Sequence, residues 1–149
     1  WLTHAWSIRD NNQELTLLQT TQHEDVISEG RNVIVHLANS SPSRLKAALD
    51  ETEGLLEIYK RAHLQLQVEV ITNRSGVDLL RSDASIYKQR IGLLQGKYPN
   101  VNFLVCGQTL GKLRSKGENV QLLPHTVVVS TAAEQINKRL RQGWGYVRI

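Results

Sequence analysis

Val101-Asn102-Phe103-Leu104-Val105-Cys106-Gly107-Gln108-Thr109-Leu110 is the stretch around which the rest of the chain is organised. A short apolar run of strand length ends in Cys106, the only cysteine. Gly107 follows, and then a helical pattern begins, predicted over Thr109 to Lys116 and stopped by Gly117. One thiol therefore stands where a buried strand hands over to a helix. Free backbone N–H groups and the helix dipole both favour negative charge at such a junction. A thiolate is favoured there for the same reason. The plainer alternative is a small core hydrophobe at a strand end. Position alone leaves both readings open.

Outward from this stretch the pattern alternates. Upstream, Val33-Ile34-Val35-His36-Leu37-Ala38 is a nearly continuous apolar run, as expected of a strand covered on both faces. Ser41 before Pro42 reads as a hydroxyl cap followed by proline at the first helical position. Leu45, Ala48, Leu49, Thr52, Leu56 and Tyr59 then recur at helical spacing, with Gly54 inside. Leu64 to Ile71 alternates apolar and polar residues, which predicts a strand with one wet face at its start. A short helical piece is expected over Val77 to Arg81. Asp83 is placed as the cap of a longer helix carrying Tyr87, Ile91, Leu94 and Tyr98 on one face.

Downstream, Thr126-Val127-Val128-Val129 reads as a fourth buried strand. Thr131 and Glu134 form a capping box, and Ala133, Ile136 and Leu140 are assigned to the inner face of the helix they open. Gly143 closes that helix, and Trp144 to Ile149 reads as a terminal strand. The order β-α-β-α-β-α-β-α-β predicts an α/β, Rossmann-like three-layer domain. Its five-stranded sheet is mostly parallel, with helices on both faces. In such sheets the site lies beyond the carboxyl ends of the strands. That rule selects Asn39-Ser40-Ser41, Asn73-Arg74-Ser75, Cys106-Gly107-Gln108-Thr109 and Ser130-Thr131. From these, Asn39, Ser40, Arg74, Gly107, Gln108, Thr109 and Ser130 are the candidate pocket residues around Cys106.

Composition bounds the rest. The chain has 149 residues, 40% apolar and 21% charged, which suits one globular domain with an appendage. Residues 1–30 show no clear period and read as a tail, a linker or an oligomerisation arm carrying Trp1 and Trp6; residues 31–149 form the domain. No apolar run approaches the roughly 18–20 residues that cross a bilayer. The chain starts at Trp1 and holds no methionine, so it reads as a processed or trimmed product. An N-terminal anchor fits that reading. The cytoplasm is favoured, with a periplasmic or membrane-tethered location left open.

The net charge of +4 comes from interspersed charges, densest at Lys112 to Lys116 and Lys138 to Arg141. Aromatics are 5%, so no stacking platform for nucleic acid is expected. A single cysteine excludes an internal disulfide and a cysteine-built zinc site. His36 and His125 read as structural, and His4, His23 and His63 as tail or surface residues, so no metal site is expected. A tyrosine-phosphatase loop needs arginine where Lys112 stands. A rhodanese ring lacks its arginine, and a papain-like pair lacks a well-placed histidine. The Walker and GxGxxG phosphate motifs are absent. No cofactor is expected.

Val105-Cys106-Gly107-Gln108-Thr109-Leu110 resembles the cysteine motif of the DsrE/DsrF-like family. The similarity continues through Leu122-Leu123-Pro124, Val127-Val128-Val129-Ser130 and Gln142-Gly143-Trp144-Gly145-Tyr146-Val147, with the Val33 to Leu37 strand and Gly76 to Leu80 fitting upstream. It covers roughly residues 31–149 and is nearer to the stand-alone branch than to TusD. The resemblance implies a symmetric homo-oligomer: a dimer, trimer or hexamer. It also implies a sulfur carrier or sulfurtransferase that holds sulfane sulfur as a persulfide on Cys106. Sulfur donor and acceptor proteins, or small thiols, would be its partners. A lone sulfur suits a carrier, because a neighbouring cysteine would discharge the persulfide as a disulfide. The alternatives are a non-catalytic oligomeric module binding a small ligand or protein, and a thiol redox sensor.

Overall fold

The structure, a computed structural model, describes residues 31–149, so the tail or arm expected over residues 1–30 lies outside the described residues. The elements in chain order are β1 (Arg31–Leu37), α1 (Pro42–Arg61), β2 (Leu66–Thr72), a 3-10 helix (Arg74–Leu80), α2 (Lys88–Lys97) and β3 (Val101–Cys106). They continue with α3 (Gly107–Ser115), β4 (Val127–Val129), α4 (Ala132–Arg141) and β5 (Gly145–Arg148). All five strands are parallel, in the order β4-β3-β2-β1-β5. This is the expected three-layer α/β architecture. Among the described residues no helix is long and apolar enough to cross a membrane.

The order explains the layers. Steps from β1 to β2, β3 and β4 all run the same way, and right-handed crossovers then put α1, α2 and α3 on one face. The step from β4 to β5 runs back across the sheet and puts α4 on the other. The packing agrees: Val35, Val70, Phe103 and Val105 meet Leu49, Leu56, Ile91 and Leu110, whereas Ile34, Ile71, Leu104 and Cys106 meet Ala132 and Ile136. Connections therefore change face between the carboxyl ends of β3 and β4. Cys106 stands at that switch point.

Four local expectations are corrected. Ser41 occupies the N-cap of α1 but makes no side-chain cap; instead Asn39 Oδ1 accepts the Ser41 N–H at 2.8 Å. Asp83 does not cap α2, whose flanking residue is Tyr87, because the Arg81 guanidinium holds its carboxylate at 2.9 Å. Thr126–Val129 is not a buried strand: three residues pair at the sheet edge, with Val127 and Val128 exposed. The inner face of α4 is turned by one residue, with Ala132 buried and Ala133 and Leu140 exposed.

That rotation has a polar cause. Glu69, assigned by alternation to a wet face, is 5% exposed. Arg139 donates Nε to both its carboxylate oxygens at 3.1 Å and Nη2 to Oε2 at 2.6 Å, and Gln135 Nε2 adds a bond at 2.9 Å. Arg139 also lies 4.4 Å above the Trp144 ring. A buried carboxylate is tolerated only when paired and bonded. Gln135 and Arg139 must face the sheet, and this orients α4.

Candidate functional site

Cys106 ends β3 and is itself the N-cap residue of α3, which starts at Gly107 rather than at Thr109. Its side chain is on the α4 face and is 3% exposed. The Ala132 N–H points at Sγ from 3.4 Å across the switch point. Burial is the largest single influence on the thiol and raises its pKa. Hydrogen bonds from the Thr109 amide and hydroxyl, the Ala132 amide and the Gln108 amide outweigh it together, and the thiol ends below its ordinary range. Two helix starts thus aim their N–H groups at one sulfur, the arrangement that favours an anion.

Gly107 is required by a close approach. A Cβ there would lie 2.6 Å from the Val129 carbonyl oxygen and 3.1 Å from that of Ser130. The β3 and β4 ends are pressed together only because no side chain intervenes. Gly76 plays the same part at β1, where a Cβ would clash with the Leu37 carbonyl oxygen.

The other candidates divide. Thr109 is half-buried, and its Oγ1 accepts the Arg74 N–H at 3.1 Å, tying the end of β2 to the start of α3. Arg74 has φ +49°, a left-handed conformation uncommon for a long side chain. The Thr109 bond helps hold it there. Gln108 offers its amide to the sulfur while its residue is exposed. Asn39 is engaged with the start of α1, and the Ser40 N–H donates to Ser75 Oγ at 3.0 Å. Ser130 lines a separate polar groove with Thr131, Glu134 and Lys138. Neither Asn39, Ser40 nor Ser130 hydrogen-bonds the thiol among the described residues.

His36, read from the sequence as structural, lies beside this site. It is the penultimate residue of β1, 6% exposed, and bonded through Nδ1 to the Tyr146 hydroxyl at 2.6 Å and through Nε2 to Asn73 Oδ1 at 3.0 Å. Burial, chiefly, lowers its pKa; the Asn73 bond opposes this, and the Arg148 and Arg74 guanidiniums reinforce it. A pocket of about 270 Å³ lies against His36, Asn73, Arg74, Arg148 and the inner side of α4, including Ala132. Arg148 was missed. No local sequence signal marks it, because its place opposite His36 is set by the pairing of β5 with β1.

No protein-family model matches the chain, and no curated protein does. Similar solved structures include these two. The ychN protein from E. coli is 17% identical, with a TM-score of 0.53 over 80% of this chain and 99% of that one, a likeness of fold. MTH1491 from Methanobacterium thermoautotrophicum, a protein of unknown function, is 30% identical, with a TM-score of 0.66 over 80% of this chain and 99% of its own. With that identity over nearly the whole of the relative, the chain belongs to the same family as MTH1491.

Proposed function

We propose that Cys106 accepts and passes on sulfane sulfur as a persulfide, making this domain a sulfur-relay carrier of the DsrE/DsrF-like kind. The observation that carries the reading is the set of N–H and O–H donors from Gln108, Thr109 and Ala132 around a lone sulfur. In the loading step the Cys106 thiolate attacks the outer sulfur of a donor persulfide R–S–SH. The donor S–S bond breaks, R–S⁻ leaves with its electron pair, and Cys106 carries –S–SH. No net oxidation occurs and no cofactor enters the step. The donors around Sγ favour the attacking thiolate, and the absence of a second cysteine removes the competing disulfide.

Incubation with a persulfide donor followed by intact-mass measurement tests this. Wild type gains one sulfur and Cys106→Ser gains none; equal loading of both proteins ends the proposal.

One observation favours a second reading, a non-catalytic binding module of the same fold: Cys106 is only 3% exposed. Under that reading the thiol stays unloaded and resists iodoacetamide even above its pKa. Under the carrier reading, loading proceeds through local opening, slowly but to completion.

The proposal includes a homo-oligomer. Among the described residues β4 pairs only with β3, so its outer edge of three valines is open, with Val127 47% and Val128 50% exposed, and Tyr146 stands exposed near the opposite edge. Such an edge is a ready template for another chain.

A further inference from the structure

The pocket beside β5, β1 and β2 is chemically distinct from the thiol next to it. We propose that it is a binding site for a small oxyanion, gripped by the guanidiniums of Arg74 and Arg148. The inference does not depend on Cys106 carrying sulfur.

Three adjacent strand ends build the site. Arg148 comes from β5, His36 lies opposite it in register on β1, and Asn73 and Arg74 follow β2. Ile136 and Asn137 of α4 close the side facing the sheet ends. The lining contains two arginines and no carboxylate. Among the described residues, neither arginine is within salt-bridge distance of an acidic side chain. Both ring nitrogens of His36 already have partners and burial lowers its pKa, so the positive charge of the lining belongs to the arginines. Both guanidiniums also oppose protonation of His36, and both residues line the same pocket.

Guanidinium recognises phosphate, sulfate, sulfonate or carboxylate through paired N–H donors in one plane. Two such forks on one concave surface suit a single oxyanion better than a peptide or a nucleic-acid backbone. The pocket volume of about 270 Å³ leaves room for a short organic tail along Ile136 and Ala133. An inorganic ion and the head of a small organic anion share this chemistry.

Calorimetric titration at fixed ionic strength in chloride separates these sources, with inorganic phosphate as one probe and glycerol 3-phosphate as the other. Wild type binds saturably, and tighter binding of glycerol 3-phosphate marks an organic ligand while equal binding marks the ion itself. Arg74→Gln and Arg148→Gln each weaken binding by about tenfold, and the double variant loses it. Arg74→Lys, which keeps charge but not the fork, falls between. Both arginines are exposed, so the variants keep the wild-type fold, checked by circular dichroism. Cys106→Ser, with sulfur loading abolished, retains the affinity, so the two proposals fail separately. No saturable binding by wild type overturns the site. So does unchanged affinity in the double variant, or an equal loss in Lys138→Gln, a charge outside the pocket.

Discussion

Cys106 and Thr109 form the unit on which the proposed chemistry rests. The Thr109 hydroxyl serves both the sulfur and the Arg74 amide, so Thr109→Val removes two interactions while keeping the shape. Alkylation of wild type should follow a pH midpoint below that of an ordinary thiol. In Thr109→Val that midpoint moves up, and stability falls by about 1 kcal/mol as the Arg74 N–H loses its acceptor. An unmoved midpoint would show that the hydroxyl does not stabilise the thiolate. His36 carries a pH dependence of opposite origin. Its folded pKa lies below the ordinary imidazole value of 6.5, mainly through burial. As pH falls through 6.5 the unfolded chain takes up the proton first, so stability is full above that value and declines below it. Urea midpoints measured from pH 7.5 to pH 5 should fall, with a shallower slope in His36→Asn. Parallel slopes would remove His36 as the source.

At the scale of elements, glycine marks where the chain needs close approach and where it does not. Gly107 faces the β4 backbone, whereas a Cβ at Gly54, in the exposed middle of α1, would meet nothing within 4 Å. Gly107→Ala should therefore cost about 1–3 kcal/mol, because β4 must move. Gly54→Ala should add roughly 0.5–1 kcal/mol through lower chain entropy. Thermal midpoints moving in opposite directions confirm the contrast. A Gly107→Ala protein as stable as wild type would mean that the β3–β4 junction yields easily. The helix stops were legible in the sequence, since Gly117 and Gly143 do adopt positive φ, +89° and +87°. The caps were less so. Ser41 and Asp83 have suitable chemistry, but the Ser41 hydroxyl makes no cap bond and Arg81 holds the Asp83 carboxylate at short range.

For the whole molecule, α4 alone among the described elements covers the face opposite α1, α2 and α3, packing on Ile34, Ile71 and Leu104. The α4 clamp on Glu69 secures the middle, while the β4 edge and Tyr146 stay exposed. Sedimentation at micromolar concentration should give a species heavier than the 16.8 kDa monomer. A clean monomer would contradict the proposed assembly.

Order and periodicity were enough for the parallel α/β architecture, because alternating strand and helix signals with short connections permit few chain paths. The same reading put Cys106 at a strand end before a helix, since the apolar run and Gly107 are local features. Only the tertiary structure decided which groups surround it. The approach of Ala132 to the sulfur depends on α4 crossing to the other face. The meeting of His36, Arg74 and Arg148 depends on β5 pairing with β1 across more than a hundred residues of chain. Local pattern records how each segment buries its own apolar side. It does not record which distant polar groups are brought together when those segments share one sheet.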